Sequence, residues 1–380
     1  MLSASGAHHQ YLHRHQPNRN TTGVRSAAHG YGRGAQHGPR LVPMSSADTA
    51  TAAESAELAV VTRAGAVESR HIGSAVVIGP DGETLQTVGA PQKPVFPRST
   101  LKPFQAIASL RAGALISPEA VALACGSHVG SRRHQELAAQ VLADEGLDES
   151  DMKCPAALPS RELDLKVHFE AGKRKTPLAF NCSGKHVAFL AAARTQGWRL
   201  ATYTRPEHPL QQSALGVIEE YCGEAPGVVG VDGCGAPAPS ISLTGLARGF
   251  GRVASATSRR DAEVHAFTVN QAMLDYPWAA HGRNEANTVV MEDLGLLAKL
   301  GAEGVLVIAA PDGTTAAVKV LDGSQRAANL AALSLLAGQG VVEVEALGPV
   351  LNKIIKPITG GVDGEQVGSI RLSAELLAHL

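Results

Sequence analysis

Apolar residues recur along this chain in two different rhythms, and the change between them divides it into three stretches. Near the start, Leu58-Ala-Val-Val-Thr62, Val67–His71, Gly73–Ile78 and Glu83–Val88 are short apolar runs. They are bounded by turn residues, and Pro80-Asp81-Gly82 has the chemistry of a hairpin turn. Late in the chain Gly304–Ala310 and Thr314–Leu321 repeat the pattern around Pro311-Asp312-Gly313. Between them the apolar spacing is i, i+3, i+4, as in Glu136-Leu-Ala-Ala-Gln-Val-Leu-Ala143. It predicts helices near 117–125, 132–145, 185–197, 208–222, 257–274 and 286–299, with a further amphipathic helix near 326–337 after the second hairpin. Hairpins at both ends and a mostly helical middle do not suit a parallel βαβ sheet. They predict an α+β fold whose antiparallel sheet brings the two ends of the chain together.

Residues 1–56 differ in kind. They carry six of the fifteen histidines and five arginines before the first acidic residue, Asp48. This composition predicts a disordered extension, with a start at Met44 as the alternative, and a single domain over 57–380. A net charge of −1 leaves no electrostatic footprint for nucleic acid or an anionic membrane. No apolar run is long enough to span a bilayer. The five cysteines, odd in number and scattered, form no disulfide framework and point to a reducing, cytoplasmic setting.

Candidate chemistry concentrates in a few short stretches. In Phe96-Pro-Arg-Ser-Thr-Leu-Lys-Pro-Phe-Gln105, Ser99 reads as a helix N-cap and Lys102 follows one turn later. A lysine whose pKa is depressed by burial can take a serine proton, and Ser-x-x-Lys at a helix start serves this chemistry in penicillin-recognising enzymes. A capping serine and a solvated lysine account for the same four residues. Ala124-Cys-Gly-Ser-His-Val-Gly-Ser131 can present Ser127 and His128 into a cleft, or simply end a helix. Asn181-Cys-Ser-Gly-Lys-His186 precedes an apolar helix and offers an anion pocket at its N-terminus. Cys182 together with Cys234 of Val231-Asp-Gly-Cys-Gly-Ala-Pro-Ala-Pro239 could bind zinc, though buried structural thiols are the commoner outcome for such spacing. Lys299 leads into the second hairpin, either at the sheet edge facing Ser99 or on the surface.

In this order and at these separations, the segments around Ser99, Ser127, Asn181–His186, Val231–Cys234, Lys299-Leu-Gly301 and Thr359-Gly-Gly361 resemble the asparaginase II family typified by the inducible rhizobial L-asparaginase. The resemblance covers about residues 58–375. It implies a serine β-lactamase/glutaminase-like fold, a homodimer, and hydrolysis of L-asparagine to L-aspartate and ammonia. It implies two Ser–Lys pairs, Ser99 with Lys102 and Ser127 with Lys299, in which Ser99 is the nucleophile. It further implies a zinc site at Cys182, Lys185 and Cys234, and substrate binding by Arg98, Asp232 and His186. The chain departs from the family pattern at Val129, Ser131 and Gly235, which bears on second-shell hydrogen bonding and substrate choice. A relaxed amidase or glutaminase on the same fold is the first alternative. A non-catalytic amino-acid or metal binder is the second. The absence of Ser-Asp-Asn or Lys-Thr-Gly motifs argues against β-lactam chemistry.

Overall fold

The computed structural model describes residues 48–380. The expected extension falls outside the described residues as far as residue 47, and its last part is built: Thr51 and Glu54 close a capping box around a single turn. Strand β1 (Ala56–Arg63) follows, then β2 (Ala66–Ile78) and β3 (Thr84–Val88). The two runs read separately at Val67–His71 and Gly73–Ile78 are thus one long strand. β2 pairs with β1 along Ala66–Gly73 and with β3 along Ala75–Ile78, so the two neighbours share one edge in succession. The other edge of β2 takes Thr315–Val320, which pairs in turn with Val305–Ala309, and that with Leu297–Leu300. Glu365–Leu372 closes the far side against β1, with Ile358–Gly360 outside it. All these pairings are antiparallel. The sheet therefore joins the two ends of the chain, as the hairpin pattern predicts.

The helical middle begins with α1 (Lys102–Arg111), α2 (Pro118–Cys125), α3 (Arg132–Asp144), α4 (Glu162–Glu170) and α5 (Ser183–Thr195). In α5 eleven of thirteen residues are buried, which makes it the central helix with no solvent face. It packs against α1, α2 and α3, while the helices Leu243–Ala254 and Ala328–Gly338 lie on the sheet. The helix expected to run to 299 stops at Leu294, because Gly295 caps it in the left-handed conformation at φ 66°. Lys299 consequently sits on the edge strand Leu297–Leu300. Among the described residues no helix is long and apolar enough to cross a membrane.

Candidate active site

The loops after Pro97, after α2 and before α5 meet the sheet edge at one cleft. Its wall includes Ser99, Ser127, Val129 and Asn181, and its volume is about 680 Å³. Two glycines let these parts approach. A Cβ on Gly184 would collide with the carbonyl of Leu123, so only glycine brings the first turn of α5 onto the end of α2. A Cβ on Gly301 would collide with the carbonyl of Pro97, so glycine also lets the end of the Lys299 strand close on the Ser99 turn.

Ser99 is not an N-cap. It lies inside a 3₁₀ turn, Arg98–Leu101, that precedes α1, and neither this turn nor α1 has a side-chain cap. Arg98 adopts φ 55°, in the left-handed region that costs a non-glycine residue about 1 kcal/mol or more. That kink starts the turn early and leaves the Ser99 hydroxyl on the cleft without a recorded hydrogen bond, whereas its carbonyl accepts from the Lys102 N–H. The guanidinium of Arg98 is held by Asp232.

Lys102 and Lys299 are fully buried and converge on Ser127 rather than on Ser99. Lys102 Nζ lies 3.1 Å from Ser127 Oγ and donates to the carbonyls of Gly126 and of Asn181, the latter at 3.2 Å. Lys299 Nζ lies 2.9 Å from the same Oγ and donates to the Leu300 carbonyl at 2.6 Å. Burial disfavours both ammonium forms. The Lys299 pKa falls well below the ordinary lysine value, driven down further by Lys102. That of Lys102 is lowered too, against the pull of the Cys182 sulfur. Three acceptor contacts suit Lys102 as an ammonium ion, and a neutral Lys299 amine can receive the Ser127 hydroxyl proton.

Behind this layer lies a sulfur-rich cluster. Donor atoms of Cys182, Asp232 and Cys234 all lie within 4.8 Å of one another, and Lys185 Nζ is 3.1 Å from Cys234 Sγ. All five cysteines are free thiols. The neighbouring Cys234 thiol holds Cys182 well below its ordinary pKa, while the same contact and burial push Cys234 up. Burial works to raise the Asp232 carboxyl, but Lys185, Cys234 and Arg98 take it down to about 2. Burial likewise opposes the charge on Lys185, yet Cys234, Cys182 and Asp232 outweigh it and its pKa rises.

Sequence patterns thus locate Ser99, Lys102, Ser127, Lys299, Cys182, Lys185 and Cys234 in two adjoining layers. The residues expected to bind substrate fare differently. Asp232 belongs to the sulfur cluster and is paired with Arg98, and neither lines the cleft. His186 points the other way from the first turn of α5: it is fully buried, and its Nδ1 sits 2.7 Å from the Tyr203 hydroxyl. Arg161, His281, Glu285 and Lys356, none of them singled out by sequence, line the cleft instead. They come from three loops, with His281 and Glu285 on one of them, and no local motif marks them.

The L-asparaginase II family model matches residues 59–372. The chain belongs to the L-asparaginase II family. No curated protein sequence matches this family member significantly. Solved structures similar to it include Mglu in its native form, at 15% identity over 70% of this chain and 64% of that one, with a TM-score of 0.40. The chain thus spans less than two thirds of that relative's length. A Bacillus glutaminase in 4.3 M NaCl gives 12% identity over 70% and 91% of the two chains, with a TM-score of 0.40. A β-lactamase from Mycobacterium bovis gives 15% over 70% and 94%, with a TM-score of 0.31.

Proposed function

We propose that the protein is an L-asparaginase, hydrolysing L-asparagine to L-aspartate and ammonia through an acyl-enzyme. The observation that carries this reading is Ser127 held between two buried lysines, with Ser99 free on the same cleft, in a chain of this family. Ser99 Oγ attacks the side-chain amide carbon while its proton passes to the lysine pair. The C–N bond then breaks, and the nitrogen takes that proton and leaves as ammonia. Water next attacks the ester on Ser99, its proton returns through the same groups, and aspartate departs. Ser127 links Lys102 to Lys299, so one proton can be shared across the pair. A second reading makes Ser127 the nucleophile, because it alone of the two serines touches both lysines.

The sulfur cluster fits zinc: two thiols, a carboxylate and an amine lie close enough for one tetrahedral ion. Cys182, Cys234 and Lys185 would hold it, with Asp232 within reach and Lys185 giving up its proton on binding. The ion would supply a fixed positive charge behind the cleft. Arg98 and Asp232, locked together, brace the Ser99 turn. Cys182→Ala should reduce bound zinc from about one per chain to none and raise KM for asparagine more than it lowers kcat. Unchanged metal content would dispose of the site.

Ammonia release from L-asparagine, with L-glutamine in parallel, tests the function. Asparagine-selective release is expected. Equal rates on both amides would favour a relaxed amidase, and release from neither, in folded zinc-supplied protein, would leave a binding protein.

A further inference from the structure

The pairing of Arg98 with Asp232 leaves the amino-acid head of a substrate without those partners, and the cleft offers others. Glu285 and Lys356 both face the cleft that holds Ser99 and Ser127. Glu285 is half-buried and Lys356 is exposed, and among the described residues neither side chain makes a hydrogen bond or an ion pair. By contrast Arg161, on the same wall, is already engaged: its Nε bonds Asp164 at 2.5 Å and its Nη1 bonds the Arg283 carbonyl at 2.9 Å. The cleft therefore carries a free carboxylate at Glu285 and a free ammonium at Lys356 that do not neutralise each other.

The loop that ends in Glu285 is tied to the Ser127 loop by its backbone. The Ser127 N–H donates to the Ala280 carbonyl at 2.9 Å and the Val129 N–H to the His281 carbonyl at 2.9 Å. The Glu285 N–H then folds back on the Gly282 carbonyl at 3.2 Å. Two backbone bonds thus tie the Glu285 loop directly to the Ser127 loop. Glu162 is another unpaired carboxylate on the cleft, and its segment also reaches the Ser127 loop through the Ser160 N–H to the Val129 carbonyl at 3.0 Å, but its side chain is exposed in the first turn of α4 whereas that of Glu285 is half-buried.

We infer that Glu285 and Lys356 form the subsite for the zwitterionic end of an α-amino acid, Glu285 receiving the α-ammonium and Lys356 the α-carboxylate. This rests on the asparaginase reading and names how that site selects its substrate. Opposite charges at the two groups of an α-amino acid give both orientation and selectivity, since an analogue lacking either group strands a charge of the protein. Arg98 and Asp232 keep a bracing role one layer behind.

The test compares L-asparagine with succinamate, which lacks the ammonium, and 3-aminopropanamide, which lacks the carboxylate. Glu285→Gln should raise KM for asparagine by about ten- to a hundred-fold, an effect of charge-assisted hydrogen bonds. Its penalty on succinamate should be at least about tenfold smaller. Lys356→Met should show the mirror pattern, sparing 3-aminopropanamide. Calorimetric binding of L-aspartate should weaken in both variants, a readout independent of turnover. If wild-type protein hydrolyses asparagine while Glu285→Gln behaves like wild type, or Glu162→Gln takes the penalty instead, the subsite is wrong and the function stands. If wild-type protein neither hydrolyses asparagine nor binds aspartate, the parent reading fails and takes the subsite with it.

Discussion

Ser99→Ala is expected to lose asparagine turnover by about 10⁴-fold or more, the scale of removing a nucleophile, with the fold intact. Folding should be untouched because the hydroxyl makes no recorded hydrogen bond and caps no helix. Ser127→Ala should cost less, about 10²- to 10³-fold, because it breaks the link between the two lysines while leaving an attacking oxygen in place. Activity alone cannot separate the two serines if both losses prove large. The deciding measurement is acid quenching at steady state followed by peptide mass mapping. An aspartyl increment on the Ser99 peptide of wild-type and Ser127→Ala protein is the expected result. The same increment on the Ser127 peptide, surviving Ser99→Ala, would transfer the nucleophile to Ser127 and reduce Ser99 to a cleft-wall residue.

The uncertainty over the two serines shows how far sequence reaches at this site. The three-residue spacing does set Ser99 and Lys102 one 3₁₀ turn apart, but it does not say which hydroxyl the Lys102 amine reaches. The positive φ of Arg98 is a backbone choice that nothing in Pro97-Arg-Ser-Thr announces, and the Lys102 amine meets Ser127, a residue from another loop. Lys299 was placed by its neighbours in the motif, but its strand of four residues is too short to show a period, and only the left-handed Gly295 stops the preceding helix. The hairpins were legible because their turns have strong chemistry. The Leu243–Ala254 helix was not, since Gly245, Gly249 and Gly251 lower its propensity. Tertiary packing overrides that: Gly249 lies against Phe104 and Gly251 against the Gly313 carbonyl. The closing strand Glu365–Leu372 was also missed, because its exposed, polar-rich sequence shows no buried face. Motifs drawn from one segment were found; a wall assembled from Arg161, Glu285 and Lys356 has no local trace.

Lys299→Met should reduce turnover by about 10³-fold or more and, over one pH range, favour the folded state. Burial lowers the Lys299 pKa in the folded protein, so the unfolded chain, near the ordinary value of about 10.4, binds a proton more readily. Between the folded and unfolded pKa values the unfolded state holds more protons, and wild-type stability rises with pH. Below the folded pKa both states are charged and this slope disappears. Methionine removes the titration at nearly constant volume, while forfeiting the bond to the Leu300 carbonyl at a cost of about 1 kcal/mol. The variant's stability relative to wild type should therefore be most favourable at the acid end of that range and decline steadily toward pH 10. Urea unfolding at several pH values measures it, and an unchanged difference across the range would show that Lys299 is charged in the folded protein. The same titration should govern catalysis in the same direction: kcat of the wild type should rise as the amine becomes neutral, on the same limb where folding gains. On the proposed mechanism function and stability draw on one proton, and the edge strand that buries Lys299 would supply the base at a standing cost to the fold.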